Sequence, residues 1–200
     1  FLHDKPSGGA GESLFQLVQM TREEYSCSII FMQEGFLKEK FDSIRSEVPQ
    51  YYFPSTGSWL LNRDFGWTLL NYFRLLIGLI PKLQLVRQII RTARKHQAKV
   101  IYTNTIYLLE GALAAKLLGI PHVWQVRELF DLDYYRYCIP KTHVVKILSW
   151  FSKTVVCNSY RTQSVIRHFG GNLEKATVIH NIVNPPAENL DIRTKKKKKK

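Results

Sequence analysis

The sequence predicts an α/β protein with a doubly wound, mostly parallel sheet and helices on both of its faces. Short apolar runs alternate with helical patterns along most of the chain, and this alternation is typical of parallel sheets built from strand–helix–strand units. The first apolar run leads through the glycines of residues 6–11 directly into a helical pattern. With 200 residues, 45% hydrophobic and 22% charged, the chain has the size and composition of one globular domain.

The predicted strands are short and apolar, as expected for strands that are covered on both faces. In chain order they are residues 1–3, 28–32, 50–53, 100–102, 121–126, 154–157 and 177–179. Apolar residues at spacings of three and four predict helices between them, over residues 11–24, 36–46, 67–96, 107–118, 142–151 and 160–169. Gly119 and the pair Gly170–Gly171 each follow a helical pattern and mark its end.

The longest helical pattern, residues 67–96, contains Pro81, which we expect to split the helix. Its second half alternates apolar residues with Arg87, Arg91 and Arg94. One interpretation is a helix packed on the sheet with its basic face in water. The other is an interfacial helix that lies on anionic lipid. The apolar part of this pattern is shorter than the roughly 20 residues that a membrane-spanning helix needs.

The chain carries a formal charge of +13, from 29 basic and 16 acidic residues. Six of the lysines form residues 195–200, and we expect residues 187–200 to be a disordered basic tail or tag. The remaining excess of basic residues favours anionic partners such as phosphates, anionic lipid or nucleic acid, without distinguishing among them. We expect no nucleic-acid partner, because the aromatic residues fall in helix and strand cores rather than on a basic face.

Cysteine and histidine usage indicates neither disulfides nor a metal site. The three cysteines are far apart and lack a CxxC spacing, which predicts free thiols in a reducing, cytoplasmic compartment. No paired-histidine spacing of the kind that binds zinc occurs.

The glycine loop, residues 6–13, is the strongest local signal in the chain. Glycines let the backbone turn sharply, and the first N–H groups of the helix that follows attract anions. Three interpretations stay open: a phosphate site, a dinucleotide site, and a turn without a ligand. A dinucleotide fingerprint through Gly9 and Gly11 requires a third glycine where Leu14 stands, which disfavours NAD(P) or flavin binding. The absence of GKS or GKT excludes a P-loop.

The predicted fold also gathers other loops beside this one. In a doubly wound sheet, ligands bind beyond the carboxyl ends of the strands. That rule places five loops at one edge of the sheet, residues 6–13, 33–35, 103–105, 127–133 and 158–159.

Several segments, in this order, resemble GT-B glycosyltransferases of the family 4 type. Residues 8–14, GGAGESL, resemble that family's GGAERSL-type loop near the start of its chain. The remaining matches are a strand–helix–strand unit at residues 101–105 and 111–124, an "hxRE" strand end at residues 124–129, and the last two strands at residues 155–159 and 178–181. The resemblance covers about residues 3–186, and Ile182 departs from it where the family usually has glycine after asparagine.

The resemblance implies that residues 1–186 are the Rossmann-like, N-terminal, acceptor-side domain of a GT-B fold. A C-terminal domain, missing from this chain, would then bind most of a nucleotide-sugar. The implied activity is metal-independent and usually retaining transfer of a hexose to a polysaccharide, glycan or lipid-linked acceptor, with no cofactor. We expect the isolated domain to be inactive, and the protein to be cytoplasmic, at the inner face of the membrane if residues 67–96 bind lipid.

The resemblance also implies roles for individual residues. Arg127 and Glu128 are the predicted catalytic residues: the guanidinium would hold a phosphate or carboxylate, and the carboxylate would orient a sugar hydroxyl or Arg127. The predicted substrate- and phosphate-binding residues are Gly8, Gly9, Gly11, Ser13, Asn104 and Ser159. A local ion pair at residues 127–128 and plain turn or capping roles for Asn104 and Ser159 stay open. The alternative functions are an NAD(P)- or other nucleotide-binding domain and a non-catalytic binding module.

Overall fold

The computed structural model describes residues 1–3, 8–35, 37–54, 60–61, 69–128, 136–137 and 141–181. The strands of these ranges are β1 (Leu2–His3), β2 (Ile29–Phe31), β3 (Gln50–Tyr52), β4 (Leu60–Leu61), β5 (Ile101–Thr103), β6 (His122–Val126), β7 (Arg136–Tyr137), β8 (Thr154–Cys157) and β9 (Ala176–Val178). The helices are α1 (Gly8–Thr21), α2 (Lys38–Asp42), α3 (Leu69–Lys95), α4 (Leu109–Leu118), α5 (Lys141–Phe151) and α6 (Tyr160–His168).

Seven of the strands form one parallel sheet in the order β3-β2-β1-β5-β6-β8-β9. The chain builds outward from β1 to β3, returns through α3, and then builds in the other direction from β5 to β9. The predicted doubly wound sheet is therefore confirmed, and the direction reverses between the neighbouring strands β1 and β5. Ligands of such sheets bind at this reversal, beyond the carboxyl ends of the strands.

Helices cover both faces of the sheet, as the alternation of side chains along β2 illustrates. Ile29 and Phe31 are buried in an apolar cluster with residues of α1 and α2. Ile30, which points to the opposite face, belongs to a second cluster with residues of α3 and α4. A third cluster joins α4, α5 and α6 to β6, β8 and β9. Strands covered on both faces explain why the sequence shows continuous apolar runs.

Helix α4 lies very close to the sheet, as its small residues predict. A Cβ atom added at Gly111 would stand 2.4 Å from Thr103 Oγ1 and 2.7 Å from Leu2 Cδ2. Gly119 then ends the helix with a φ of +68°, a left-handed conformation that favours glycine. This close approach fixes β5, and with it the loop that follows β5 at the ligand-binding edge.

Two helices differ from their predicted forms. α1 begins at Gly8 rather than Gly11, because Gly8 makes the left-handed turn with φ +64° and the helix then takes in the remaining glycines. Pro81 lies inside α3, so the predicted split is wrong. A proline in a helix interior costs about 3 kcal/mol. The helix continues past it because Leu85, Val86 and Ile89 are buried against the sheet.

The small antiparallel sheet of β4 and β7 is not predicted by the sequence. It pairs Leu60 with Tyr137 and Leu61 with Arg136, and two-residue strands are too short to show an alternating pattern. The expected tail, residues 187–200, and the predicted loop at residues 55–58 lie outside the described residues, as does most of the irregular stretch 129–137. None of the helices described has the length and hydropathy required to cross a membrane.

Candidate functional site

Three side chains from distant parts of the sequence meet around the guanidinium group of Arg127, immediately after β6. Nε and Nη2 of Arg127 both donate to Asn104 Oδ1, at 3.1 and 3.0 Å, and Nη2 also donates to Ser13 Oγ at 3.0 Å. Nη1 donates to Asn181 Oδ1. We refer to Ser13, Asn104, Arg127 and Asn181 as the arginine cluster. It joins α1 to the segments that follow β5, β6 and β9, at the edge where the fold predicts a ligand site.

Asn104 holds the arginine cluster against the reversal point of the sheet. Its side chain is fully buried. Its backbone N–H donates to Leu2 O at 2.9 Å, and its Nδ2 donates to Ala10 O at 3.0 Å. An asparagine amide carries both donors and an acceptor, so it can bond to the α1 backbone and to Arg127 at once. Asn104 thereby fixes the position of Arg127 relative to the first turn of α1.

The first turn of α1 is the second component of the site. Its N–H groups, from Gly8 to Gly11, have no acceptor within the helix, and together with the helix dipole they attract anions. A Cβ atom added at Gly8 or Gly9 would meet no heavy atom within 4 Å, so the space beside these residues is open. The predicted glycine loop and Arg127 therefore lie at the same site, connected through Ser13 and Asn104.

The electrostatics of Arg127 favour a bound anion. Its hydrogen-bond acceptors are two amide oxygens and a hydroxyl, all uncharged. Burial lowers the pKa of the guanidinium, and the neighbouring Tyr102 and Glu128 oppose that shift. Because the usual pKa of arginine lies above about 12, the group stays a cation at neutral pH. A cation held by neutral oxygens near the positive end of a helix is suited to bind a phosphate or a carboxylate.

Glu128 lies beside this site, and its carboxylate bonds to the protein backbone and to a hydroxyl. Oε1 accepts from Thr105 Oγ1 at 2.7 Å, and Oε2 accepts from the backbone N–H groups of Arg127 at 3.0 Å and Ile106 at 3.4 Å. Burial raises the pKa of Glu128, and the hydrogen bonds from Thr105 and the backbone reduce that shift. These contacts join the loop after β5 to the loop after β6, and they fix the backbone from which the Arg127 side chain extends.

Ser159 is the N-cap residue that precedes α6 at the same edge of the sheet. Its backbone is extended, with φ −157°, and its Oγ accepts from Thr162 N at 3.1 Å, which is an N-cap contact. The preceding residue, Asn158, donates from Nδ2 to Arg127 O at 3.5 Å. Ser159 is therefore joined to the arginine cluster through Asn158.

Asn181 and Thr105 belong to the site but were not predicted individually as site residues, although Thr105 lies in the predicted ligand-edge loop 103–105. Asn181 follows β9 and accepts from Arg127, and Thr105 follows β5 and donates to Glu128. Both lie just beyond the carboxyl end of a strand, and the rule that selected residues 103–105 also applies to the segment after β9, which contains Asn181. Among the residues that the structure describes, no three His, Cys, Asp or Glu side chains form a group that could hold a metal ion.

Comparisons with solved structures show where this architecture occurs. Anabaena HepE, solved with UDP-glucose, superposes with a TM-score of 0.65 at 19% sequence identity, over 98% of this chain and 49% of HepE. The lipopolysaccharide outer core galactosyltransferase WaaB gives a TM-score of 0.57 at 12% identity, over 94% of this chain and 46% of WaaB. The UDP-GlcNAc 2-epimerase of Neisseria meningitidis, bound to UDP-GlcNAc, gives 0.54 at 14% identity, over 98% of this chain and 51% of the epimerase.

These similarities establish the fold, which is the Rossmann-like α/β architecture of GT-B glycosyltransferases. The chain spans about half the length of the structures it matches. No curated protein matches the sequence. The family model of Glycosyltransferase Family 4 matches residues 7–186, which is nearly the whole chain and includes every residue of the arginine cluster. The chain therefore belongs to Glycosyltransferase Family 4.

Proposed function

We propose that this chain forms the acceptor-side half of an enzyme that transfers a sugar from a nucleotide-sugar to a glycan, polysaccharide or lipid-linked acceptor. Family membership supports the reaction class. The observation that carries the proposal for this site is the Arg127 guanidinium, held by uncharged oxygens next to the first turn of α1. This arrangement is suited to a phosphate, the group that nucleotide-sugars and lipid-linked sugars share.

Sugar transfer from a nucleotide-sugar leaves a nucleoside diphosphate whose negative charge grows as the glycosidic bond breaks. Donors that are already in place stabilise such a charge without having to reorganise. The Arg127 guanidinium and the N–H groups of Gly8, Gly9 and Gly11 would serve as these donors. We propose that they supply the positive charge directly, so that transfer is metal-independent and needs no cofactor, and that the anomeric configuration of the sugar is retained.

Most contacts to the nucleotide-sugar would come from a C-terminal domain that is not part of this chain. Anion binding by the arginine cluster alone should therefore be weak, and the chain alone should be inactive. An assay of UDP-glucose with the isolated chain tests this part: measurable transfer or hydrolysis would overturn the half-enzyme proposal. A chain extended by the C-terminal domain is expected to show turnover.

Glu128 acts in this proposal as a positioning residue. Its carboxylate binds the backbone N–H groups of Arg127 and Ile106, so its loss should displace Arg127 rather than remove a reacting group. In a full-length enzyme, Glu128→Gln keeps one acceptor oxygen and is expected to lower kcat less than Arg127→Gln does. A larger loss in Glu128→Gln would place Glu128 at the reacting atoms instead.

The experiment that tests the anion site is a titration of the chain with UDP. Arg127→Gln removes the cation, and we expect the Kd for UDP to rise at least tenfold. Arg167→Gln removes an exposed cation at the end of α6 and should leave the Kd within twofold. The wild-type affinity should fall as salt is added, since salt screens a partly exposed charge. Equal Kd values in both variants would refute the site, and tight NADH binding without UDP binding would support a dinucleotide domain.

We further propose that the exposed face of α3 rests on anionic lipid. Ile80, Leu83, Arg87, Arg91 and Arg94 follow one another at spacings of three and four, so they share a face, and all five are exposed. The opposite face, with Leu85, Val86 and Ile89, is buried. A face that combines apolar and basic side chains is suited to the surface of an anionic membrane.

Vesicle co-sedimentation tests this proposal. The chain should sediment with phosphatidylserine-containing vesicles and not with pure phosphatidylcholine vesicles, and high salt should release it. Replacement of Arg87, Arg91 and Arg94 by glutamine should abolish binding. Binding that persists in this triple variant would contradict the assignment to α3.

A further inference from the structure

An exposed aromatic pair lies directly beside the arginine cluster. Tyr160 is the first residue of α6, and its side chain is 72% exposed, the largest exposed fraction among the large apolar side chains that the structure describes. Its ring meets the His180 ring edge to face, with the centroids 5.7 Å apart at an interplanar angle of 68°. His180 is itself exposed. The pair forms an aromatic surface that is open to solvent at the carboxyl edge of the sheet.

The pair is held in place by the same contacts that hold the arginine cluster. The Nδ1 atom of His180 lies 3.2 Å from Asn158 O, and Asn158 Nδ2 donates to Arg127 O at 3.5 Å. His180 is also the sequence neighbour of Asn181, whose Oδ1 accepts from the Arg127 guanidinium. The Ser159 N-cap fixes the first turn of α6, from which Tyr160 extends. Asn158 therefore links the aromatic pair to the arginine cluster: its backbone oxygen contacts His180, and its side chain donates to the backbone oxygen of Arg127.

We propose that the exposed face of Tyr160, with His180 against its ring, stacks on the sugar ring of a sugar phosphate whose phosphate group binds at Arg127. This inference rests on the anion site proposed above and names a ligand class for the surface next to it. The C–H groups of a pyranose form an apolar face, which an aromatic ring covers favourably, while the tyrosine hydroxyl remains in water.

The position next to Arg127 favours a sugar ring over a nucleobase. In a sugar phosphate the ring is bonded directly to the phosphate oxygen, whereas in a nucleotide a ribose separates the base from the phosphate. Only one residue step separates His180 from Asn181, which contacts Arg127. The ring that reaches the aromatic pair should therefore be the one nearest the phosphate.

The test compares α-D-glucose 1-phosphate with inorganic phosphate by titration calorimetry of the whole chain. Wild type should bind glucose 1-phosphate at least threefold more tightly than phosphate. Tyr160→Ala should remove this preference and leave the Kd for phosphate within twofold, and Tyr160→Phe should keep the preference. Tyr25→Ala is the matched control, because Tyr25 is also exposed, at 63%, and follows the other end of α1.

The possible results separate this inference from the anion site on which it rests. If phosphate binding depends on Arg127 but Tyr160→Ala keeps the preference for glucose 1-phosphate, the stacking assignment is wrong and the anion site stands. If neither compound binds, both proposals fail. If Tyr160→Ala weakens uridine 5′-monophosphate more than glucose 1-phosphate, the surface binds a base, and the assignment to a sugar is overturned.

Discussion

Two polar networks are built around the same parallel sheet, and they differ in charge and in access to solvent. The arginine cluster joins loops at the carboxyl edge and ends at an exposed residue, Asn181. The second network, hereafter the histidine network, consists of Thr103, His122 and Ser152, all of them buried. In it, His122 Nε2 lies 2.8 Å from Thr103 Oγ1, and His122 Nδ1 lies 3.4 Å from Ser152 Oγ.

Both networks contain buried polar side chains, which makes each of them a candidate functional site. They differ in charge. Burial lowers the pKa of His122 to about 4, so His122 is neutral at pH 7 and its hydroxyl partners complete an uncharged network. Arg127 keeps its charge, and its acceptors supply none in return. A charge retained at an open edge of the sheet is suited to binding a ligand, as proposed above, whereas satisfied neutral polar groups inside the sheet stabilise the fold.

The largest expected effect concerns the histidine network and pH. The pKa of His122 falls from 6.5 to about 4 on folding, so the unfolded chain takes up this proton first as the pH drops. Stability is therefore full above pH 6.5 and is lost as the pH falls towards 4, by about 3 kcal/mol for a shift of this size. Urea unfolding between pH 7.5 and 4 should show this loss in the wild type.

His122→Gln removes the titrating group and should reduce the pH dependence of the free energy of unfolding. The exposed His168 is the matched control, and His168→Gln should keep the wild-type pH dependence. A His122→Gln variant with the wild-type pH dependence would show that the histidine network contributes nothing to acid sensitivity.

A smaller effect is expected where α4 packs against the histidine network. In Gly111→Ala the added Cβ would stand 2.4 Å from Thr103 Oγ1, so Thr103 or α4 must shift. We expect the free energy of unfolding to fall by about 1–3 kcal/mol, as for other overpacked cores. In Gly9→Ala the Cβ meets no atom within 4 Å, and stability should be unchanged or slightly higher. Urea unfolding of both variants measures this difference, and a Gly111→Ala variant more stable than Gly9→Ala would show that α4 is not tightly packed against Thr103.

The charge of the arginine cluster can be tested with an almost isosteric change. Asn181→Asp keeps the oxygen that accepts from Arg127 and gives the guanidinium a counter-charge. We expect the Kd for UDP to rise about fivefold at low salt, which corresponds to about 1 kcal/mol, and the difference to shrink at high salt. Asn172→Asp adds the same charge at an exposed position after α6 and should leave the Kd unchanged. Equal Kd values in both variants would mean that Arg127 meets no anion.

Most of the fold was predictable because it depends on local patterns. Apolar runs and helical spacing gave the strands of the parallel sheet in the correct order along the chain. Two features were missed for physical reasons. The β4–β7 pair depends on contacts between residues more than 70 positions apart, and Pro81 remains inside α3 because tertiary packing outweighs its local cost.

The sequence predicted most of the residues that lie at the site, because they follow strand ends, but it did not predict how their side chains are oriented. The positions of Ser13, Asn104 and Arg127 at one edge follow from the order of strands and loops. The sequence could not show that Arg127 turns towards Asn104 while its neighbour Glu128 turns towards Thr105. Those orientations depend on where β5 and β6 lie relative to each other, with Thr103 beside Trp124, and this register is a property of the assembled sheet.

The smallest expected effect concerns Ser159, which touches neither network directly. Ser159→Ala removes the acceptor for Thr162 N and should cost about 1 kcal/mol of stability. Ser159→Asp provides another good N-cap and should restore the wild-type value. If urea unfolding finds both variants equally destabilised, the hydroxyl does more than cap α6. Because Asn158, the neighbour of Ser159, donates to Arg127 O, the Ser159 hydroxyl would then also help to position the arginine cluster.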